Sequence, residues 1–468
     1  MNINFYKKIY DVSPSYLQTI EISTISLNTV FQRNFNPFFT EYYASLLKTQ
    51  WCSKKDLDSI QNKNLKILVE YAYKNVPYYH KIFRSNNINP DDIRTKEDLK
   101  RLPTITKEIV RNNWHDFVPI NIKNIPNIQL TTTGSTGRPL DILWSKKSRM
   151  IEDCFGYRMR EWAGLNVTSK VAHFGANRLF FNNKIKKPPF WRENFSERIV
   201  YFSQDHLSKK NLPYYIKKLK SFQPEILRGH PSKIFLIAYF IKKMDYGQII
   251  HPKAIFTSSE MLLPNHAKLM TEVFDCPIFD YYGNNEHVSS ISQCEKGTYH
   301  INSEYGIIEF MKNGDEVSPG ETGEMICTGF INEAMPLIRY NMEDLAVPSS
   351  EKCSCGRHLP VVASIIGRTR DIIVTSDGRI FTTGSIIDGI QYIKSIKEWQ
   401  FIQKSKEEYI INIVVDRKIF SDLDIAHIEM IIRNRVGDGS ITVNVVETII
   451  RPENKFRAVI SEVQNDWN

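Results

Sequence analysis

From about residue 125 onward, short β-rich runs alternate with helix-patterned segments, and that alternation restricts the chain to layered α/β architectures. Residues 171–174, 199–202 and 254–257 read as strands. The last is followed by a helical pattern over 265–274 and by a strand over 278–282. A more β-rich stretch comes next, with runs at 306–310, 324–328 and 337–340. Upstream, residues 55–115 read as helical and charged, broken at Pro77, Pro90 and Pro103. The final hundred residues carry their own pattern. A helix over 385–393 precedes strands at 398–403 and 409–415, then a helix at 423–435 and a strand at 441–447. This is a split βαβ arrangement able to fold as a separate two-layer module. The expected fold class is therefore α/β: a large multi-layer N-terminal region over 1–370, with a helical front segment to about residue 120, and a small α+β C-terminal domain over 371–468.

A chain of 468 residues with 42% hydrophobic and 24% charged residues can bury large cores without disulfides or metals as its main support. No apolar run reaches the length of a membrane span, and the first residues lack the apolar region of a secretory signal. Seven cysteines, an odd number, do not form a disulfide framework. These features predict a cytoplasmic protein. The net charge of +9 is uneven: after Asp371 there are 12 basic and 14 acidic residues, so the basic excess lies entirely in the front portion. That excess suits nucleotide phosphates, an acidic polymer or the inner face of a membrane. No recognised motif for nucleic acid is present.

The first chemical landmark is Thr131-Thr132-Thr133-Gly134-Ser135-Thr136-Gly137-Arg138-Pro139. Gly134 and Gly137 let backbone amides approach an anion, and the clustered hydroxyls donate further hydrogen bonds to phosphate oxygens. The Gly-Lys-Ser/Thr ending of a Walker loop is missing. A polar turn linking two strands is the plain alternative.

This segment resembles the Ser/Thr-Gly-rich loop of adenylate-forming enzymes, which include acyl-coenzyme A ligases. Thr133 stands where Ser is common and Arg138 where Lys is common. Further elements follow in the order that resemblance requires. Tyr281-Tyr282-Gly283-Asn284-Asn285-Glu286 is similar to the family's Tyr-Gly-x-Thr-Glu element, which implies that Tyr282 stacks on adenine and Glu286 holds Mg²⁺ against the phosphates. Asn285 replaces the usual Thr. Arg339-Tyr340-Asn341-Met342-Glu343-Asp344 resembles the element whose final Asp accepts both ribose hydroxyls, with Met342-Glu343 in place of Thr-Gly. Gly367-Arg368-Thr369-Arg370-Asp371 looks like the hinge before the C-terminal lid, with Arg368 meeting the nucleotide and Asp371 absorbing the backbone rotation. Lys455, in Arg451-Pro452-Glu453-Asn454-Lys455, occupies the place of the lysine that stabilises charge developing during adenylation. The resemblance thus implies an adenylation region, residues 1–370, a mobile lid, residues 371–468, and ATP and Mg²⁺ bound between them. The substrate would be a small-molecule carboxylic acid and coenzyme A the likeliest co-substrate. Standing alone, each motif also reads as an ordinary turn or a surface charge, so the ordered set carries the resemblance.

Cys294, His300, Cys353 and Cys355 together offer three thiols and an imidazole, a ligand set suited to a structural tetrahedral Zn²⁺. The spacing is weak evidence, because Cys-x-Cys is not the common Cys-x₂-Cys knuckle. Phenylacetate–coenzyme A ligase-like relatives, among them proteins encoded with capsule and surface-polysaccharide genes, carry a Cys/His site in this part of the chain. The remaining cysteines, Cys52, Cys154, Cys276 and Cys327, read as buried apolar residues.

The acyl pocket is expected near His230 and Ser232, which follow a strand and open a helix, and near Ser259 and Glu260, at the end of another strand. Helix entry for His230 and capping for Ser232 are equally good readings. Between Arg178 and Arg198, basic residues including Lys184, Lys186 and Lys187 interleave with aromatics. This pattern reads as a solvated loop whose aromatics return to the core, or as a docking loop. Two rival functions stand beside thioester formation: transfer of the acyl group to an amine of a surface polysaccharide, and a non-catalytic scaffold for an anionic partner. Oligomeric state and the first fifty residues are not read.

Overall fold

The computed structural model describes residues 10, 13–132, 140–175, 187–203, 206–207, 210–368, 372–376, 380–382, 390, 393, 395–437, 439–449 and 459–463. Helices α1 (Ser15–Phe35), α2 (Pro37–Thr49), α3 (Lys54–Asn75), α4 (Pro77–Ser85), α5 (Lys107–Asn112) and α6 (Trp114–Phe117) make the helical front predicted from composition. Prolines set the starts of α2 and α4, where the missing N–H costs nothing. Asn36 caps α2 and Ser53 caps α3 through side-chain oxygens.

The body is one 13-stranded sheet in the order β12-β11-β13-β14-β15-β10-β9-β8-β7-β6-β3-β5-β4. Its parallel half comprises β3 (Val171–Phe174), β5 (Ile199–Phe202), β6 (Ile226–Gly229), β7 (Ala254–Ser258) and β8 (Ile278–Gly283), edged by antiparallel β4 (Trp191–Asn194). The other half is antiparallel: β9 (Ser290–Gln293), β10 (Tyr299–Ile301), β11 (Gly306–Lys312), β12 (Asp315–Glu316), β13 (Gly323–Gly329), β14 (Tyr340–Ser349) and β15 (Val361–Arg368). A separate hairpin pairs β1 (Asn127–Thr132) with β2 (Leu140–Ser145). Helices α7 (Lys146–Trp162), α8 (Leu212–Phe222), α9 (Pro231–Lys243) and α10 (Pro264–Phe274) complete the layers. The parallel strands are near-continuous apolar runs because both of their faces are covered. The strand expected over 337–340 starts only at Tyr340. Arg339 adopts φ +53°, outside the extended region.

A two-stranded link, β16 (Ile372–Val374) with β17 (Ile380–Thr382), precedes the small module. There β18 (Ile396–Ser405) and β19 (Glu408–Val415) form a hairpin, α11 (Asp422–Val436) crosses over, and β20 (Ser440–Val445) pairs parallel to β19. β21 (Val459–Ser461) pairs parallel to β18. The module has its own core of Phe401, Ile411, Ile413, Ile428 and Ile432, as the sequence pattern predicted for an α+β unit. The helix expected over 385–393 lies largely outside the described residues. Among the described residues no helix is long and apolar enough to cross a membrane.

Candidate active site and metal centre

The carboxyl ends of parallel strands are where an open α/β sheet collects ligands, and β8 delivers Tyr282 and Gly283 there. Gly283 has a local reason to be glycine: an added Cβ would stand 2.7 Å from the ring of Tyr281. The turn that follows is folded by Asn284, whose side chain bonds Ser289 and accepts from the amide of Val288. That turn carries Glu286 inward, while Asn285 stays exposed with its carbonyl held at 2.6 Å by the indole of Trp144.

Two residues from distant motifs meet at this edge. The hydroxyl of Tyr282 donates to Asp344 Oδ2 at 2.6 Å. Burial, then the charge of Asp344, holds the Tyr282 phenol well above its ordinary pKa, so it remains the donor. Asp344 lies within β14, where the sequence had placed it just after a strand, and it pairs in register with Arg368 of β15. The preceding residue solves the loss of the family's glycine in its own way. Glu343 takes φ +59°, and its amide is caught by Asn341 Oδ1 at 2.7 Å, a side-chain turn supporting the left-handed backbone.

Glu286 is 7% exposed and faces Lys107 Nζ at 3.7 Å, with the lysine itself 14% exposed. The hydroxyl of Tyr340 also donates to Glu286, at 3.3 Å. The front segment is bound to this place by backbone bonds, Ile105 N to Arg339 O at 2.9 Å and Asn341 N to Ile105 O at 2.8 Å. Lys107 therefore belongs to the site, although the sequence offered no local sign beyond Thr106, which caps α5. Trp144 and His287, stacked 4.1 Å apart, were missed for the same reason. Thr133, Gly134, Ser135, Thr136, Gly137, Asp371 and Lys455 lie outside the described residues. Thr132 ends β1, and the backbone of Arg368 pairs with that of Asp344.

Three of the four expected acyl-site residues meet. His230 Nδ1 lies 3.5 Å from Glu260 Oε1, and Glu260 Oε2 accepts from the amide of Ser232 at 3.2 Å. His230 is the N-cap of α9 but makes no side-chain cap bond; the carboxylate of Glu260 caps that turn instead. Ser259 supplies the bend with φ +69°. Of the basic, aromatic segment, Phe190 is buried and Phe195 exposed, while Lys184 and Lys186 fall outside the described residues.

Cys294, His300, Cys353 and Cys355 converge, their ligand atoms all within 4.8 Å of one another. Cys294 Sγ lies 3.7 Å from Cys353 Sγ, and Cys355 Sγ lies 3.4 Å from His300 Nε2. A tetrahedron of Zn–S bonds has edges of about 3.8 Å, so the spacing fits a zinc ion. His300 Nδ1 faces the carbonyl of Leu359 at 3.3 Å, which leaves Nε2 as the metal-facing nitrogen. Backbone amides of Lys296 and Cys355 point at the sulfurs of Cys294 and Cys353, each at 3.4 Å, as thiolates require. Cys154, Cys276 and Cys327 are buried free thiols, and Cys52 is partly buried.

A family profile described as the CapK C-terminal domain matches residues 373–462. Protein CapK of Staphylococcus aureus is 28% identical over 416 residues, spanning 87% of this chain and 88% of the relative. A phenylacetate-coenzyme A ligase of Thermus thermophilus is 23% identical over 361 residues, spanning 70% of this chain and 74% of the relative. Among solved structures, 2-hydroxyisobutyryl-CoA ligase in the postadenylation state, in complex with R3-HIB-AMP, superposes with a TM-score of 0.70 at 16% identity, covering 88% of this chain and 91% of that one. The same ligase in the thioesterification state gives 0.57 at 16% identity, over 88% and 91%. The large sheet with a small C-terminal module is therefore a fold shared with 2-hydroxyisobutyryl-CoA ligase.

Proposed function

We propose that the chain is an adenylate-forming enzyme of the phenylacetate–coenzyme A ligase-like branch, which activates a carboxylic acid as an acyl-adenylate and passes the acyl group to coenzyme A; the similarity to Protein CapK and to phenylacetate-coenzyme A ligases and the shared fold support this reading. The observation that carries this reading is the meeting of Tyr282 with Asp344 at one strand edge, beside a buried Glu286 paired with Lys107. Asp344, oriented by the Tyr282 hydroxyl, would accept the ribose hydroxyls. Glu286 is a fixed carboxylate of the kind that a hard divalent ion requires; Mg²⁺ held there would neutralise the β- and γ-phosphates. The carboxylate oxygen of the acid attacks the α-phosphorus and the bond to the bridging oxygen breaks, so pyrophosphate leaves. Lys455 would bridge substrate carboxylate and phosphate as this charge develops. In the second step the thiol sulfur attacks the acyl carbon, the thiol proton is lost to solvent, and AMP departs.

A structural zinc ion in the Cys294–His300–Cys353–Cys355 cluster completes the reading; it would fasten β10 and the loop before it to the loop between β14 and β15, and would take no part in acyl transfer. The alternative acceptor is an amine on a surface polysaccharide, which would give an amide. Incubation with ATP, Mg²⁺, an activated acid and coenzyme A distinguishes the two. A thioester and AMP in equal amounts support the first reading. An acyl-adenylate that persists with coenzyme A but is consumed by an amino sugar contradicts it and supports the second.

A further inference from the structure

Three buried arginines are paired with carboxylates. Arg158 lies 2.8 Å from Glu304, Arg339 lies 3.1 Å from Glu309, and Arg357 lies 2.9 Å from Glu295. Arg33 and Arg192 are buried against neutral partners, Tyr157 and Gln18, whereas Arg160 and Arg228 stand near each other. Arg160 is only 8% exposed, yet among the described residues no carboxylate comes within the 4.0 Å of an ion pair. Its guanidinium rests over the ring of Tyr157, 5.0 Å from the centroid. Arg228, at the carboxyl end of β6, spends its Nε on His173 Nδ1 at 3.0 Å and likewise has no carboxylate within that distance. Because His173 Nδ1 accepts, that imidazole is neutral and contributes no compensating charge. Burial, then the neighbouring charge of Arg228, depresses Arg160 to about 10, as two cations sharing one small space would be.

Both arginines line a cleft. The register His173↔Arg228↔Phe256↔Phe279 puts these residues on one face of the parallel sheet, the face on which Phe256 and Phe279 pack against Met159 and Trp162 of α7. Arg149, Glu152, Asp153, Gly156 and Arg160 form one stripe of α7 by their helical spacing. Open space begins at Gly156, where an added Cβ would meet nothing within 4 Å. Asp153 keeps 36% of its side chain accessible, although burial raises its pKa, as at the wall of a narrow opening. Glu152 is already occupied, bonded by the hydroxyls of Tyr281 at 2.8 Å and Tyr305 at 2.6 Å. Tyr281 immediately precedes Tyr282 of the nucleotide site, so the cleft adjoins the place where an acid would be activated.

We propose that this cleft is the acyl pocket and that Arg160 and Arg228 receive a second carboxylate of the substrate, so that the acid is a dicarboxylic acid adenylated at one end. This rests on the adenylation reading above. A carboxylate between two guanidinium groups supplies the close ion pair that neither makes among the described residues, where Asp153 and Glu197 act on them only from farther away, and suits their planar donors. An alkyl or phenyl group there would leave the two guanidinium groups without a close counter-ion, a poor arrangement for a binding site.

The test is acid-dependent ATP–pyrophosphate exchange by the full-length protein with pairs of equal length: succinate and butyrate, glutarate and pentanoate, adipate and hexanoate. Phenylacetate and the matching ω-amino acids complete the panel. At the fitting length, the dicarboxylate should exceed its partner by about 100-fold or more in kcat/KM, the discrimination of a site built around a polar group. Arg228→Gln should collapse that ratio to below about 10, and Arg160→Gln should act in the same direction. The ratio is insensitive to a loss of folded enzyme, and a melting curve accompanies each variant. A monocarboxylate, phenylacetate or an ω-amino acid as the best substrate overturns the proposal and leaves adenylation standing, as does a ratio unmoved by both substitutions. Absence of exchange with every acid overturns the adenylation reading itself.

Discussion

Replacing Lys107 by Met removes the cation facing Glu286 while keeping the length of the side chain. The two charges are 3.7 Å apart with little exposure, so at an effective dielectric of about 20 their attraction is roughly 4–5 kcal/mol. Methionine regains part of that by avoiding the cost of burying an ammonium group. The carboxylate, however, is left buried with the Tyr340 hydroxyl at 3.3 Å as its one hydrogen-bond partner among the described residues, the situation that costs about 3–5 kcal/mol when one partner of a buried pair is deleted. The expected net loss is about 3 kcal/mol of stability in the large domain. Lys66→Met, which breaks an exposed pair with Glu70 at 3.9 Å, should cost less than about 0.5 kcal/mol and serves as the control. Denaturant unfolding of both variants reads the difference. Saturating Mg²⁺–ATP should then stabilise Lys107→Met more than the parent, because the ion returns positive charge to Glu286. Equal midpoints for the two variants, or equal stabilisation by Mg²⁺–ATP, would refute both the pairing and the assignment of Glu286.

Protein purified without chelators should contain about one zinc per chain, and Cys353→Ser should lose the metal and melt earlier; metal analysis without zinc removes the site. Asp344→Ala should weaken ATP binding strongly, whereas Tyr282→Phe should weaken it by about 1–2 kcal/mol through loss of one charge-assisted bond, both read by direct titration. His287 is buried and pushed down to about 3, so it is neutral when folded and protonates more readily when unfolded. Its contribution is complete above about pH 6.5 and is lost as pH falls toward 3, at about 1.4 kcal/mol per pH unit. His287→Gln should flatten that part of the stability–pH curve, and an unchanged slope would show that His287 is not the group responsible.

Much of the layer structure was legible because strand and helix periods differ and prolines and caps mark the boundaries. Parallel strands such as Ala254–Ser258 declare themselves by unbroken apolar character. The cysteine and histidine set was legible by residue type, and folding supplied what spacing could not, the approach of residues 294 and 353. Asp344 was identified by its neighbours, but its position inside a strand was not, because Glu343 accepts a backbone angle that propensity would reserve for glycine or asparagine. Lys107 was invisible: a lysine after a capping threonine is ordinary, and only the backbone bonds between Ile105 and residues 339 and 341 carry it to Glu286. Arg160 and Arg228 escaped notice likewise, since an arginine's lack of a partner is a property of the folded chain.

The proposed reaction begins with an acyl-adenylate, and pyrophosphate exchange into ATP measures that step without any acceptor. Exchange should depend on an added acid and on Mg²⁺ and disappear in Lys455→Ala, with ATP binding by that variant nearly intact. ATP binding with no exchange across a broad panel of acids, or exchange undiminished in Lys455→Ala, would contradict it.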